Sequence, residues 1–547
     1  MPPFDYDYVV IGSGFGGSVA ALRLAEKGWR VGLLEQGKRF EDRDFARTNW
    51  NVRKYLWMPG LGLHGIQQIT LLRDVLVLTG VGVGGGSLVY ANILLRPPDQ
   101  AFQDLRWPGG RDWKAELRPH YDLASWMLGV VEPASTFIAD DLLRQVVEEE
   151  TGRGHTFARH DVGVFFGEPD RTVPDPFFGG EGPDRAGCVL CGECMTGCRH
   201  NAKNTLVKNY LWLAERRGCA IHPETRVTDV RPLPGGGYQV HTVRSTAWLR
   251  RRPQVFRAGG VVFSGGTLGT VRLLLECKAR GSLPGLSDRV GDWVRTNSEA
   301  LLGATARDDA VDYSHGIAIT SGVWPDENTH VEIVRYGKGQ DFMALMATYL
   351  TGGGPPWPRW LRWLGNLIRH PIGFARAHWP FGWARRTAIL LVMQPLSNFM
   401  RLRLRWRPWG RRLASETGGE RPPTYLPLAN RLAARMAEKM RGTPGSVLLE
   451  VLANTSSTAH ILGGATMGRA PAEGVCDERG RVFGYEKLWV ADGSLVPANL
   501  GVNPSLTITA LAEYVMSNVP ENPRGVRRPA PRPPRRAGPD RGSPGRT

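Results

Sequence analysis

A glycine-rich turn between two apolar runs is the feature that most constrains the fold. Residues 8–11 read Tyr-Val-Val-Ile, a short buried-strand pattern, and a helical stretch leads from the turn to a second apolar run at 31–34, which Glu35 ends. The turn has the order Gly-x-Gly-x-x-Gly, at Gly12, Gly14 and Gly17. This order predicts a β-α-β unit whose turn and helix N-terminus bind a pyrophosphate, while the Glu35 carboxylate accepts hydrogen bonds from ribose hydroxyls. The unit predicts a dinucleotide-binding domain and leaves FAD and NAD as alternatives.

The length and charge of the chain limit the class of protein. A chain of 547 residues exceeds what one hydrophobic core supports, so two or more domains are expected. No apolar run reaches the roughly 18 residues of a membrane span. The net charge is +17, and residues 521–547 hold eight arginines against Glu521 and Asp540, which predicts a disordered basic tail. No nucleic-acid-binding module accompanies this charge, so we expect no nucleic-acid partner. Seven cysteines and an N-terminus without a signal-peptide pattern favour a cytoplasmic protein, with the inner face of a membrane as a further location.

Three further blocks carry a resemblance to a known family. A second glycine cluster, at residues 80–86, precedes Ser87, Tyr90 and Asn92. A third cluster reads VVFSGGTLGTVRLLL, and the C-terminal block reads LWVADGSLVPANLGVNPSLTITALAEYV. Together with the first turn, these blocks resemble the glucose–methanol–choline (GMC) flavin oxidoreductases over residues 7–519. The segments HILGGATMG and GVNPSLTITALAE are most similar to the cholesterol oxidase-like branch.

The resemblance implies an α/β fold with two interleaved domains. One is a Rossmann-like FAD-binding domain of the GMC type, expected at residues 1–100, 200–303 and 462–520. The other is an α+β substrate domain built on an antiparallel sheet, expected at 101–199 and 304–461, with a cysteine-rich loop at 187–199. The separated glycine blocks require this interleaving, because all of them must reach one cofactor.

The resemblance also implies which residues hold FAD. The expected cofactor-binding residues are Gly12, Gly14, Gly17, Glu35, Gly85, Ser87, Asn92, Val227, Asp492 and Gly493. Val227 matches a position that contacts adenine through its backbone. Residues 78–97 contain no histidine, the usual attachment residue of members with covalent FAD, so non-covalent FAD is expected.

The implied chemistry is oxidation of a secondary alcohol. His460 matches the family's active-site histidine, which accepts the hydroxyl proton, and Asn503 matches the asparagine that faces the flavin in cholesterol oxidases. The expected reaction converts a 3β-hydroxysterol to a 3-oxosteroid and reduces O2 to H2O2. Isomerisation of the 5-ene to the 4-ene needs a carboxylate, for which an ungapped match selects Asp341, with Glu332 nearby.

Four cysteines in GCVLCGECMTGCRHNAKNTL leave alternatives open. Cys188, Cys191, Cys194 and Cys198 have the C-x2-C-x2-C-x3-C spacing of a ferredoxin-type iron–sulfur site, but Arg199 replaces the usual proline and the run occurs once. Zinc and a metal-free loop of thiols are the alternatives. With a cluster, the chain would be an FAD dehydrogenase of another bulky alcohol that passes electrons to an acceptor. A second alternative is an inactive lipid-surface binding protein.

A basic, tryptophan-rich segment covers residues 355–412. Its stretch WPRWLRWLGNLIR has apolar and arginine side chains at helical spacing. This pattern is typical of a helix at a lipid interface and equally of a helix packed on its own domain. We therefore expect either a peripheral membrane contact or an ordinary intramolecular interface here.

Overall fold

The computed structural model describes residues 4–248, 252–354, 356–408, 410–529 and 531. Most of the predicted tail, at 530 and 532–547, lies outside the described residues. The prediction of a disordered tail is wrong for its first part, because the backbone N–H groups of Asn522 and Arg528 donate to the carbonyls of Lys27 and Glu26. These bonds attach the segment to the end of the first helix.

The predicted β-α-β unit is confirmed. Its strands Tyr6–Ile11 and Val31–Leu34 are parallel neighbours, and helix Phe15–Glu26 joins them. In the described part of the chain they belong to a seven-stranded sheet. Its strands follow the spatial order Ala220–His222, Val31–Leu34, Tyr6–Ile11, Gln254–Phe263, Tyr238–Arg244 and Thr225–Pro232, with Leu488–Val490 also beside Gln254–Phe263. These strands come from the three segments expected for the FAD domain.

A second seven-stranded sheet within the described ranges is antiparallel throughout, as the fold class predicts. Its strands follow the order Ala347–Tyr349, Gly442–Val447, Ala300–Ala306, Thr387–Met393, His330–Val334, Ile319–Val323 and Ala158–Arg159. The expected domain boundary at residue 303 falls inside Ala300–Ala306. Both neighbours of that strand lie in the second sheet, so the boundary belongs before residue 300.

Residues 101–128 also pack differently from the expected division. Helix Trp113–Met127 lies on the C-terminal helix Ser505–Ser517, where the Tyr121 hydroxyl donates to Thr507 Oγ1 at 2.9 Å. Trp113 and Tyr121 share one hydrophobic core with the first sheet. This segment therefore belongs to the nucleotide-binding side and continues the first FAD block, so the expected boundary at residue 100 lies too early in the sequence.

The remaining elements surround these two sheets. The other helices are Val52–Tyr55, Ile138–Thr151, Tyr210–Arg216, Gly266–Arg280, Arg359–Arg369, Pro371–Ala377, Trp383–Arg386, Pro427–Lys439 and Leu448–Leu452. The smaller sheets comprise Gln67–Leu71, Val75–Gly80 and Ser456–Thr458; Trp57–Met58 and Leu63–His64; Thr172–Val173 and Arg185–Ala186; and Met400–Arg407 and Gly410–Thr417. Short 3-10 helices are Asp42–Asp44, Pro59–Leu61, Gly85–Leu88, Asp99–Phe102, Gly154–Thr156, Cys194–Thr196, Leu206–Lys208, Phe342–Met346 and Gly493–Leu495. Among the described residues, no helix has the length and apolar character needed to cross a membrane.

A buried ion pair connects the antiparallel sheet to the helix beneath it. Arg335 Nη2 donates to Asp140 Oδ2 at 2.7 Å, and both side chains are buried. Asp140 also accepts from Ser321 Oγ and from the Phe137 N–H, which places this carboxylate at the start of helix Ile138–Thr151. Arg335 Nη1 also donates to the Ile317 carbonyl and to Thr320 Oγ1, and these hydrogen bonds offset part of the cost of burying two charges.

We expect Asp140→Ala to destabilise the protein strongly. The substitution leaves the Arg335 guanidinium buried without its carboxylate, which typically costs about 3–5 kcal/mol of unfolding free energy. Asp141→Ala is the matched control, because Asp141 is adjacent and exposed. Differential scanning fluorimetry checks the prediction, and similar Tm values for the two variants would contradict it.

Candidate active site

A cavity of about 1280 Å³ lies between the nucleotide-binding sheet and the antiparallel sheet. Its walls combine the glycine blocks, the strand Thr225–Pro232, the inner face of the antiparallel sheet and the two C-terminal sequence blocks. The predicted residues that line it are Gly12, Gly14, Glu35, Gly85, Val227, His460, Asp492, Gly493 and Asn503. The cavity is larger than the 300–1,000 Å³ typical of one small ligand, which suits a dinucleotide together with a substrate.

Glycines form the floor of this cavity because side chains there would clash. A Cβ at Gly12 would lie 2.4 Å from the Ser264 carbonyl oxygen, and one at Gly17 would lie 1.9 Å from the Gly12 oxygen. A Cβ at Gly14, by contrast, would meet no atom within 4 Å. Gly12 and Gly17 therefore allow close packing of the turn, whereas Gly14 keeps the cavity open. This open, glycine-lined helix N-terminus fits the pyrophosphate of FAD.

Glu35 lies at the end of its strand, as predicted. Its Oε2 accepts from the Ser13 hydroxyl at 2.7 Å and from the Ser13 N–H at 3.1 Å, and its Oε1 accepts from the Gly37 N–H at 2.7 Å. Burial raises the pKa of this carboxyl, and the hydrogen bonds oppose that shift. The carboxylate is thus fixed at the cavity wall, where a ribose hydroxyl of FAD would reach it.

Asp492 joins two of the glycine blocks. Its Oδ2 accepts from Thr270 Oγ1 at 2.6 Å and from the Gly266 N–H at 2.9 Å, while its Oδ1 accepts from the Ser494 N–H and hydroxyl. Both oxygens are therefore committed within the protein. Asp492 therefore connects the third glycine cluster to the C-terminal block, and the adjacent Gly493 lines the cavity.

Three predicted cofactor residues lie behind the cavity wall. Gly17 packs against the turn, and the fully buried Ser87 donates to the Gly84 carbonyl at 2.7 Å and accepts from the Leu206 N–H. Asn92 is buried with a left-handed backbone (φ 73°), and its side chain is near the Cys194 thiol. None of these three residues lines the cavity, and they support from behind the wall that FAD would contact.

His460 is positioned by a buried carboxylate that no motif predicts. Oε1 of Glu299 contacts His460 Nδ1, and Oε2 accepts from the Ala459 N–H at 2.8 Å. Thr458 Oγ1 accepts from the His460 N–H and donates to the Thr296 carbonyl. A carboxylate at Nδ1 favours the tautomer with its proton there, which leaves Nε2 as a proton acceptor.

Asn503 is the first member of a buried polar chain. Its Nδ2 donates to Glu332 Oε2 at 3.1 Å, Glu332 Oε1 lies 3.6 Å from His160 Nε2, and His160 Nε2 is 3.0 Å from His330 Nε2. Burial raises the pKa of Glu332 to about 8, against the hydrogen bond from Asn503. Burial also lowers the pKa of His160 to about 4 and that of His330 well below its usual value. At neutral pH this series of four polar side chains is therefore mainly uncharged.

The structure does not support the role predicted for Asp341. This carboxylate is outside the cavity lining and accepts from the N–H groups of Gly382 and Ala384 at 3.1 and 2.8 Å. It fixes the start of the short helix Trp383–Arg386. Glu332, in the strand His330–Val334, also lies outside the lining, but it contacts Asn503, which lines the cavity.

The four loop cysteines are all free thiols and half-buried. Among described side chains, the trio of possible metal ligands whose atoms lie within 4.8 Å of one another is His160, His330 and Glu332. The sulfurs of Cys188, Cys191, Cys194 and Cys198 are not gathered that closely, so a preformed site for one zinc ion is not supported.

Comparisons with known proteins identify the family. The family model for the GMC oxidoreductase C-terminal region matches residues 423–512, and a model described as an FAD binding domain matches residues 7–45. Two proteins named cholesterol oxidase are similar over nearly their whole length. The one from Mycobacterium tuberculosis is 48% identical over 96% of this chain and 93% of its own, and the one from Acinetobacter baumannii is 46% identical over 94% and 95%.

Solved structures show the same fold at low identity. Pyridoxine 4-oxidase from Mesorbium loti superposes with a TM-score of 0.59 at 16% identity, covering 93% of this chain and 98% of its own. An FAD-dependent oxidoreductase from Chaetomium thermophilum has a TM-score of 0.55 at 16% identity, with 94% and 98% covered. The chain belongs to the GMC oxidoreductase family, as an FAD-dependent enzyme that acts on CH–OH donors and is similar to members named cholesterol oxidase.

Proposed function

We propose that this enzyme oxidises a 3β-hydroxysterol to its 3-oxosteroid and transfers the two electrons to O2, giving H2O2. The observation that carries the proposal is the position of His460 and Asn503 on one cavity that the glycine blocks also line. The two relatives named cholesterol oxidase, similar over at least 93% of each chain, support a sterol as the alcohol.

Bound FAD supplies the hydride acceptor for the carbinol carbon. The protein supplies the proton acceptor, which is Nε2 of His460, and Glu299 stabilises the positive charge that forms on the imidazole. The single hydroxyl proton of the substrate goes to His460, so Asn503 would meet the substrate oxygen through the Nδ2–H that Glu332 does not accept. The Asn503 amide is held in place because Nδ2 already donates to Glu332.

Isomerisation of the 5-ene to the 4-ene needs a carboxylate that carries a proton between two ring carbons. We propose Glu332 for this step instead of Asp341. Glu332 contacts Asn503 and has a pKa raised to about 8, so its protonated and ionised forms are close in energy near neutral pH. Both forms are needed, because the group first accepts a proton and then returns it.

The helix Arg359–Arg369 has its polar face on the protein and its apolar face outward. Arg359 donates to the carbonyls of Thr351 and Thr424, and Asn366 donates to the Leu350 carbonyl. The outward side chains are Trp360, Leu364, Leu367 and Ile368, and Ile368 is 81% exposed. This orientation reverses that of an ordinary surface helix, in which the apolar face is buried.

The same exposed apolar surface continues to the cavity. Ile372, Trp379 and Phe381 extend it beyond the helix, and Ala377 and Trp383 within this segment line the cavity. We propose that this surface enters the interface of an anionic bilayer on the cytoplasmic side and that the sterol passes from the lipid into the cavity. Exposed Arg369 and Arg376 on the same segment suit anionic headgroups.

We expect His460→Gln to decrease kcat for cholesterol oxidation by about 10²–10⁴-fold, because the proton acceptor is lost. Glu299→Gln is expected to decrease it by about 10²-fold, since the imidazole is no longer held and charge-stabilised. Peroxide release measures both effects, and the flavin absorbance verifies that FAD is retained. His155→Gln, at an exposed histidine, is the control. Full activity of His460→Gln would refute the proposed mechanism.

We expect Glu332→Gln to oxidise cholesterol but to accumulate the unconjugated 5-en-3-one, whereas Asp341→Asn still gives the conjugated 4-en-3-one. In the wild type, isomerisation should speed up as the pH rises towards and through about 8, because the ionised fraction of Glu332 increases over that range. Chromatography of the two ketones measures the step. Equal isomerisation by the wild type and Glu332→Gln would exclude Glu332.

We expect Leu364→Gln/Ile368→Gln to reduce co-sedimentation with phosphatidylserine-containing liposomes, because less apolar surface enters the bilayer. The control is Leu105→Gln/Val526→Gln, which removes two exposed apolar side chains from other parts of the chain. Unchanged liposome binding would contradict the proposal. A dimer in size-exclusion chromatography that only the first variant dissociates would instead assign the surface to a second copy of the chain.

A further inference from the structure

The four-cysteine loop is the sequence motif that alcohol oxidation does not use. Cys188, Cys191, Cys194 and Cys198 all line one small cavity, separate from the large one. None of them is in a disulfide. The loop thus directs four thiols towards a common space, in the order C-x2-C-x2-C-x3-C that holds ferredoxin-type clusters.

The backbone of the loop turns tightly at three residues. Leu190, Gly192 and Gly197 have left-handed φ values of 57°, 73° and 97°. A Cβ at Gly192 would lie 2.4 Å from the Ser314 oxygen, and one at Gly197 would lie 2.2 Å from the Phe45 ring. The Leu190 N–H points at Cys188 Sγ, 3.4 Å away, which is the kind of bond that stabilises a metal-bound thiolate.

Two buried cations beside the loop have no carboxylate partner. Lys203 Nζ donates only to carbonyls, those of Leu88 and Cys194 at 3.0 and 2.7 Å, and Lys203 is also a lining residue of the four-cysteine cavity. Arg185 donates to backbone carbonyls and to the Asn204 amide oxygen. Both side chains are 1% exposed, and no ion pair to either occurs within the described residues. Buried cations of this kind are costly, so an anionic group nearby would stabilise them.

The loop sulfurs do not form a preformed site for a single zinc ion. One zinc ion with bonds of about 2.3 Å draws four sulfurs to within about 4 Å of each other. As described above, the loop sulfurs are not within 4.8 Å of each other in any group of three, among the side chains that the structure describes. In a [4Fe–4S] cluster each thiolate binds a different iron at a corner of a cube, so the sulfurs stay further apart.

We propose that Cys188, Cys191, Cys194 and Cys198 bind a [4Fe–4S] cluster, whose net negative charge is balanced by Lys203 and Arg185. The site lies one layer of side chains from the large cavity. Met195, next to Cys194, lines that cavity, and so does Tyr90, whose ring centroid lies 4.6 Å from Lys203 Nζ. The chain would therefore hold a second redox centre beside the one predicted for FAD. This differs from the expectation that a cluster implies a dehydrogenase, because reduced FAD can still pass its electrons to O2 when a second redox centre is present.

The test is the iron and acid-labile sulfide content of the full-length protein after anaerobic purification. We expect about four of each per FAD, a broad absorbance near 400 nm over the flavin bands, and an EPR signal after dithionite reduction. Cys191→Ser and Cys194→Ser should lose the iron, whereas Cys219→Ser, at a buried cysteine outside the loop, should keep it.

Three results would overturn the proposal. They are an absence of iron in wild-type protein that binds FAD, even after reconstitution with Fe2+ and sulfide; one zinc per chain; and equal iron in the wild type and Cys194→Ser. Because the wild type itself is measured, a loop variant that fails to fold does not prevent a decision. Peroxide release with cholesterol is assayed separately, so failure of the cluster and failure of the proposed sterol oxidation are distinguishable.

Discussion

The contact between two glycine blocks at the base of the large cavity is the constraint on which the rest of the site depends. A Cβ at Gly85 would lie 2.6 Å from the Gly14 Cα, so the second block reaches the first only because Gly85 carries no side chain. The Asp492 carboxylate then joins the third block to the C-terminal segment. These short contacts bring segments more than two hundred residues apart to one surface, and the family's FAD-binding chemistry follows from that surface.

Two buried carboxylates contact the two predicted catalytic side chains that line the cavity. Glu299 holds His460, and Glu332 holds Asn503. Their environments differ, because Glu299 also accepts an N–H from Ala459, whereas Glu332 has two neutral histidines on its far side. Burial raises the pKa of Glu332 to about 8. One carboxylate is thus suited to fixing a proton acceptor and the other to exchanging a proton itself.

The exposed apolar helix and the cysteine loop concern what enters and leaves the cavity. The helix shows its apolar face to solvent because arginine and asparagine side chains bond to carbonyls on the inner side. The loop lies behind the wall that Tyr90 and Met195 form. The proposed entry of a sterol from a bilayer rests on the first of these features, and the proposed iron–sulfur cluster rests on the second.

The sequence by itself determined the first β-α-β unit, the glycine blocks, His460, Asn503 and the family, because these depend on local spacing or on short motifs. Only the tertiary structure shows the contacts that Glu299, Glu332 and Asp341 make. Pairing across the antiparallel sheet brings together residues that no local pattern relates, and a one-residue change of register would turn a carboxylate to the other face. The same holds for the helix Arg359–Arg369. The spacing of its apolar residues predicts two faces. Which face turns outward depends on the backbone carbonyls to which Arg359 donates, and these lie outside the helix.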